Sequence, residues 1–104
     1  MNKYHLTNKA VEDLANIWNY TFDKWSEQQA DEYYNMLITS CQKVAVHPKL
    51  FGKRYDEILE GLRGFKVGKH ILFYQILENE DIEVIRILHE RMDLRHQMNE
   101  HAEL

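Results

Sequence analysis

The chain has 104 residues, 44% of them hydrophobic, with one proline and four glycines, which suits a single domain over residues 1–104 with one core and no flexible linker. Its net charge of −4 argues against a nucleic-acid surface spread over the whole domain, and its lone cysteine, Cys41, excludes an intrachain disulfide. No apolar run is long enough for a secretion signal or a membrane span, so a cytoplasmic location without membrane contact is expected.

In chain order, Tyr4 and Leu6 alternate with Lys3 and His5, which predicts a short N-terminal strand. Thr7 or Asn8 then caps a helix, with Glu12 and Asp13 near its positive end. Its apolar stripe, Ala10, Leu14, Ile17, Trp18, Phe22 and Trp25, is read as core. Ser26-Glu27-Gln28-Gln29 reads as a capping box opening a second helix, whose apolar side is Ala30, Tyr33, Leu37, Cys41, Val44 and Ala45. His47-Pro48 ends it, because the residue before proline leaves helical geometry and proline has no amide to donate. With so short a link at Trp25-Ser26, the two helices should form an antiparallel hairpin.

After a connecting stretch, Pro48–Gly61, the periodicity becomes that of strands at Leu62–Val67, His70–Leu77 and Ile82–His89. Gly68-Lys69 and Glu78-Asn79-Glu80-Asp81 are the natural turns of an antiparallel meander. The second and third strands are apolar on both faces, so they belong near the middle of a sheet covered on both sides. One cover is the hairpin. Met92–Leu104 is short and mostly polar, so a partner chain is the candidate for the second cover, and residues 99–104 are expected to fray. The fold class is therefore α+β.

Charge is uneven along the chain. Residues 1–48 carry four basic and six acidic groups, 49–76 six and three, and 77–104 three and eight, or −2, +3 and −5. The candidate binding residues are Arg63 and Lys66 on the first meander strand, Lys69 and His70 at the turn, and Arg86, His89, Arg91 and Asp93 near the end of the last strand. Arg86 interrupts an apolar strand on a face shared with Ile82, Val84 and Leu88. Its two readings are a structural ion pair or carbonyl contact, with Asp93 or Asp56 as the candidate partners, and a guanidinium facing a binding groove. His89-Glu90-Arg91-Met92-Asp93 fails as a zinc motif because its fifth residue is Asp and it begins at a strand end, and His96 with His101 is weaker still. Cys41 lies on an apolar helix face and reads as a small buried hydrophobe. With no phosphate loop, nucleophile elbow or paired cysteines, no catalytic residue, metal or cofactor is assigned.

Taken together, Gly61-Leu62-Arg63, Val67-Gly68-Lys69-His70, Phe73-Tyr74 and the run Arg86 to Leu94 resemble the pattern of ParE toxins. Leu6 to Ala10, Asp13-Leu14, Ile17-Trp18-Asn19-Tyr20 and Trp25 are similar to the opening of that family. The resemblance implies a RelE/ParE-like two-layer fold: a short N-terminal strand and an antiparallel helical hairpin packed on an antiparallel sheet. It also implies a cognate antitoxin that wraps the toxin, with a toxin–antitoxin oligomer possible, and DNA gyrase as a target bound without direct sequence-specific contact to nucleic acid.

RelE-like members are instead ribosome-dependent mRNA endonucleases, which use basic side chains and, in several, a late tyrosine. Here the last tyrosine is Tyr74, Ile71 aligns with a strand arginine of RelE, and the last third is acidic, although His89 and Arg91 remain as acid–base candidates. The expected function is thus gyrase inhibition by protein binding, with the endonuclease as the alternative.

Overall fold

In the computed structural model, which describes residues 2–93 and 95–98, the chain forms strand β1 (Tyr4–Leu6), helices α1 (Asn8–Lys24) and α2 (Glu27–Val46), and strands β2 (Lys53–Arg54), β3 (Arg63–Val67), β4 (His70–Ile76) and β5 (Ile82–His89). The sheet runs in the order β1-β5-β4-β3-β2. The meander is antiparallel as expected, while β1 adds to β5 in parallel, pairing Tyr4 with Ile82 and Leu6 with Val84. A parallel neighbour requires a crossover, and the helical hairpin with the meander supplies it. The tail expected to fray, residues 99–104, lies outside the described residues, as do Leu94 and His101.

Both helix starts follow from their caps. Thr7 Oγ1 accepts from the Ala10 amide (3.1 Å) and donates to the Ile85 carbonyl (2.7 Å), while the Thr7 amide donates to the Val84 carbonyl (3.1 Å). One residue therefore ends β1, anchors it to β5 and starts α1. Ser26 Oγ accepts from the Gln29 amide (3.1 Å), and α2 ends at Val46, before His47-Pro48.

The predicted stripe on α1 is core only over its first half. Ala10 and Leu14 are buried and Ile17 packs against them, whereas Phe22 and Trp25 are exposed, Trp25 by 70%. The sheet ends before the helix does. Trp18 stacks on Phe22 (centroids 5.3 Å apart) and its indole donates to Asp31 on α2 (2.9 Å), so the outer half of the hairpin is held by its own side chains.

The sheet buries both faces, and the chain itself supplies the second cover, which corrects the expectation of a partner there. Leu72, Tyr74, Ile82, Val84 and Ile87 face the helices, with Leu37, Cys41 and Val44 of α2. Ile71, Phe73, Ile85 and Leu88 face the other way and pack beneath Leu62 and Met98, with Tyr55, Ile58 and Leu59 at the rim. Tyr55, Ile58 and Leu59 lie on one turn, closed by the Ile58 and Leu59 amides donating to the Tyr55 carbonyl (3.0 and 3.2 Å).

Strict alternation along β5 fails at a bulge. Phe73 opposes Arg86 and Tyr74 opposes Val84, leaving Ile85 as the extra residue, so Leu88 lies on the opposite face from Ile82 and Val84. The partner of Arg86 is neither Asp93 nor Asp56 but Asp13 of α1: Nε donates to Oδ2 (2.8 Å) and Nη2 to Oδ1 (2.9 Å), with both side chains nearly buried. Asp13 Oδ2 also accepts from the Ile87 amide (3.0 Å). Asp56 instead holds Arg54 and the Gly61 amide, and Asp93 Oδ1 accepts from the His96 amide.

The loop between α2 and β2 is fastened by Tyr74, whose fully buried hydroxyl lies 2.6 Å from the Pro48 carbonyl and 2.7 Å from that of Phe51. Arg63 Nη2 donates to the Lys49 and Gly52 carbonyls (3.1 and 3.4 Å). Gly52 is required there, since its φ is +77° and a Cβ would come within 2.7 Å of the Tyr74 hydroxyl. Tyr74→Phe should leave a buried carbonyl unpaired and lower stability by about 1–3 kcal/mol in urea unfolding; an unchanged midpoint would contradict this role.

Candidate protein-binding groove

Where α1 and α2 overhang the sheet, the β3–β4 turn and the end of β5 form the far wall of an open groove of about 880 Å³. Ile17 and Tyr20 line it from α1 and Trp25 from its C-cap, Gln29, Glu32, Tyr33 and Met36 from α2, and Gly68, Lys69, His70, His89 and Met92 from the sheet side. Tyr20 is 63% exposed, and Trp25, Met36 and Met92 are exposed as well. Apolar side chains on a concave surface mark a place where another apolar surface is bound.

The polar end is organised by Tyr33. Its hydroxyl lies 2.6 Å from His70 Nδ1 and accepts from the Lys69 amide (3.1 Å). The turn approaches this closely because Gly68 has no side chain; a Cβ there would lie 2.8 Å from the Tyr33 hydroxyl, and φ is +57°. His70 meets the His89 ring edge to face, with centroids 5.3 Å apart. Burial, reinforced by the neighbouring His89, pushes the His70 imidazole down from its usual 6.5 to about 4. Burial also raises the Tyr33 phenol, so it remains a donor at neutral pH.

Of the residues singled out in the sequence, the structure gathers Lys69, His70 and His89 in this groove. Lys66 is just outside, bound to Glu90 (3.2 Å), and that contact holds the Glu90 carboxyl below the usual carboxylate range. Arg63 is committed to the Lys49 and Gly52 carbonyls, and Arg86 to Asp13 and the Gln97 carbonyl (3.3 Å). Arg91 is exposed, and its amide donates to His89 Nδ1 (3.1 Å); Asp93 is the exposed cap of residues 95–98. Cys41 is fully buried, and burial pushes its thiol up to about 12, which rules it out as a nucleophile at neutral pH. Among the described residues there is no cluster of three metal-ligating side chains, and no helix is long and apolar enough to cross a membrane.

The residues missed in the sequence are Tyr20, Trp25, Tyr33, Met36 and Met92. Helical spacing assigns Tyr33 and Trp25 to the core because it cannot tell a buried stripe from one that walls an open groove. The available signal was an excess of aromatic side chains at the hairpin's tip, beyond what a sheet of this width covers.

The same fold is found in two solved systems. A structure of the chromosomal ParDE toxin–antitoxin system from P. aeruginosa superimposes with a TM-score of 0.73 over 86% of this chain and 96% of that one, at 16% identity. The toxin–antitoxin complex RelBE2 from Mycobacterium tuberculosis gives 0.59 over 86% and 98%, at 18% identity. The architecture is thus one that both of these systems contain. Residues 4–94 match the family model of the ParE toxin of type II toxin–antitoxin systems, parDE, and this chain belongs to that family. Toxin ParE1 of M. tuberculosis is 37% identical over 93 residues, covering 89% of this chain and 94% of the relative. Toxin ParE1 of Caulobacter vibrioides is 33% identical over 95 residues (91% and 96%), and Toxin ParE of Escherichia coli 34% over 94 (90% and 90%).

The depressed His70 has a consequence for stability. Below about 6.5 the unfolded chain takes up a proton that the folded chain refuses until about 4, so the contribution of neutral His70 is complete above 6.5 and is lost as pH falls towards 4. Urea midpoints measured from pH 7.5 to 4.5 should fall less steeply for His70→Gln than for the unaltered protein. Parallel curves would contradict this.

Proposed function

We propose that this ParE-family toxin acts without catalysis of its own, by binding DNA gyrase, and that a cognate antitoxin segment neutralises it by occupying the groove between the helical hairpin and the end of β5. The carrying observation is the groove itself, an open concavity walled by exposed aromatic and methionine side chains, whose one strongly perturbed imidazole is neutral and bonded to Tyr33. Such a surface suits protein association, where aromatic residues and methionine are enriched. Of the other groups placed near it in the sequence, Lys66 is paired with Glu90 and Arg86 with Asp13, and Lys69, His89 and Arg91 are the remaining candidates for contact with target or antitoxin.

The mRNA-endonuclease alternative is not favoured. Stabilising a scissile phosphate needs uncommitted cations aimed at one point. Arg63 and Arg86 are held by backbone carbonyls and a carboxylate and His70 is neutral, which leaves Lys69 and Arg91 as the uncommitted cations among the candidate residues, with no strand arginine beside them because Ile71 is buried on the face opposite the helices. The relatives at 33–37% identity all bear the ParE name.

Two assays on the purified protein separate the readings. Gyrase supercoiling should be inhibited, with cleaved DNA accumulating, while cell-free translation followed by primer extension should show intact mRNA. Cleaved mRNA with unaffected gyrase would overturn the proposal.

A further inference from the structure

The groove is apolar along the helices, but its sheet end is lined with hydrogen-bond donors, and the tautomers of both histidines follow from their partners. Tyr33 has one hydroxyl proton. Its nearest acceptor is His70 Nδ1 at 2.6 Å, with the Val67 carbonyl at 3.4 Å, while the hydroxyl oxygen itself accepts from the Lys69 amide. A nitrogen that accepts is unprotonated, so the neutral His70 carries its proton on Nε2. His89 Nδ1 accepts from the Arg91 amide, which puts its proton on Nε2 as well. Among the described residues neither Nε2 has a partner, and the Lys69 ammonium has no ion pair.

Three donors, two imidazole N–H groups and one ammonium, thus belong to residues lining a groove whose helical wall presents Tyr20, Trp25 and, close to Gly68, Met36. An apolar occupant that covers them must bring an acceptor, since a buried donor left without one is destabilising. A carboxylate is the acceptor that also answers the ammonium charge. The other acidic groups nearby set the direction: Glu90 is held by Lys66, and Glu32, which lines the α2 wall and accepts from Gln28, repels a carboxylate placed at that wall.

We propose that Lys69, His70 and His89 form a carboxylate-reading subsite, and that the antitoxin segment in this groove carries an Asp or Glu there, next to apolar anchors on Tyr20, Trp25 and Met36. The inference rests on the proposed antitoxin role of the groove and adds the chemistry that selects the partner. Charge complementarity favours such a segment over an uncharged apolar peptide.

The test uses the intact toxin as bait for phage-displayed random dodecapeptides. Groove binders, defined by loss of binding to Trp25→Ser, should be enriched in Asp or Glu at one fixed spacing from aromatic or aliphatic residues. Synthetic versions of the best binders with that Glu changed to Gln should bind about tenfold or more weakly, the loss expected for a charge-assisted hydrogen-bonded pair. The same exchange should make little difference against a Lys69→Ala, His70→Gln, His89→Gln variant whose circular dichroism matches the unaltered protein. Binders without an acidic preference, a Glu-to-Gln loss below about twofold, or the absence of groove-dependent binders would overturn the subsite. A concentration-dependent dimer abolished by Trp25→Ser would overturn the choice of occupant. Gyrase inhibition is read separately, so an inert toxin with an acid-selecting groove would refute the target and leave the subsite standing.

Discussion

The structure depends on a carboxylate closing an open sheet edge. β1 pairs with β5 only as far as Val84, so the rest of that edge has no strand beside it. Asp13, one turn into α1, accepts the Ile87 amide and holds Nε and Nη2 of Arg86 in a two-pronged pair. The bulge at Ile85 places Arg86 opposite Phe73 while its guanidinium reaches the α1 carboxylate at the edge. A carboxylate with three donors tolerates burial that a single ion pair would resist, and losing one partner would strand the other. The rotation of α1 about its axis and the path of β5 towards His89 both follow from this contact.

Those two consequences make the groove. With α1 pinned by its first two turns, its remaining turns project past the sheet and carry Tyr20 and Trp25 into solvent, while α2 keeps pace with Tyr33 and Met36. A helix of 17 residues is about 25 Å long at 1.5 Å per residue. The β3–β4 turn then closes against Tyr33 through Gly68, and the His70–His89 pair forms the polar end. The exposed aromatics of this ParE-family chain are therefore a product of its framework: the contacts that make the core leave the hairpin's tip uncovered.

Much of this was legible in the sequence. Apolar runs bounded by turn residues locate the meander strands within a residue, and Thr7, Ser26 and Pro48 mark the helix ends, because those signals are local and chemical. The two-residue β2 was missed, since two charged residues, Lys53 and Arg54, carry no periodicity. The second sheet cover carries a weak signal, Tyr55, Ile58 and Leu59 at one-turn spacing inside a stretch that otherwise has the character of a connector. Arg86 was recognised as needing a partner, but an ion pair across 73 positions leaves no local trace, and the bulge defeated parity along β5. In the groove, Lys69, His70 and His89 could be named from their basicity. Tyr33, which organises them, could not, because a tyrosine on an apolar helix face looks the same whether its hydroxyl meets solvent or a histidine.

The central claim, that Asp13 and Arg86 act as one unit closing the β5 edge, is tested most directly by a double-mutant cycle in urea unfolding. Asp13→Leu and Arg86→Met should each cost about 3–5 kcal/mol by stranding a buried charge, and the double variant should cost clearly less than their sum, because neither charge remains. Single effects that add to within about 0.5 kcal/mol would show that the two side chains are independent and would contradict the account.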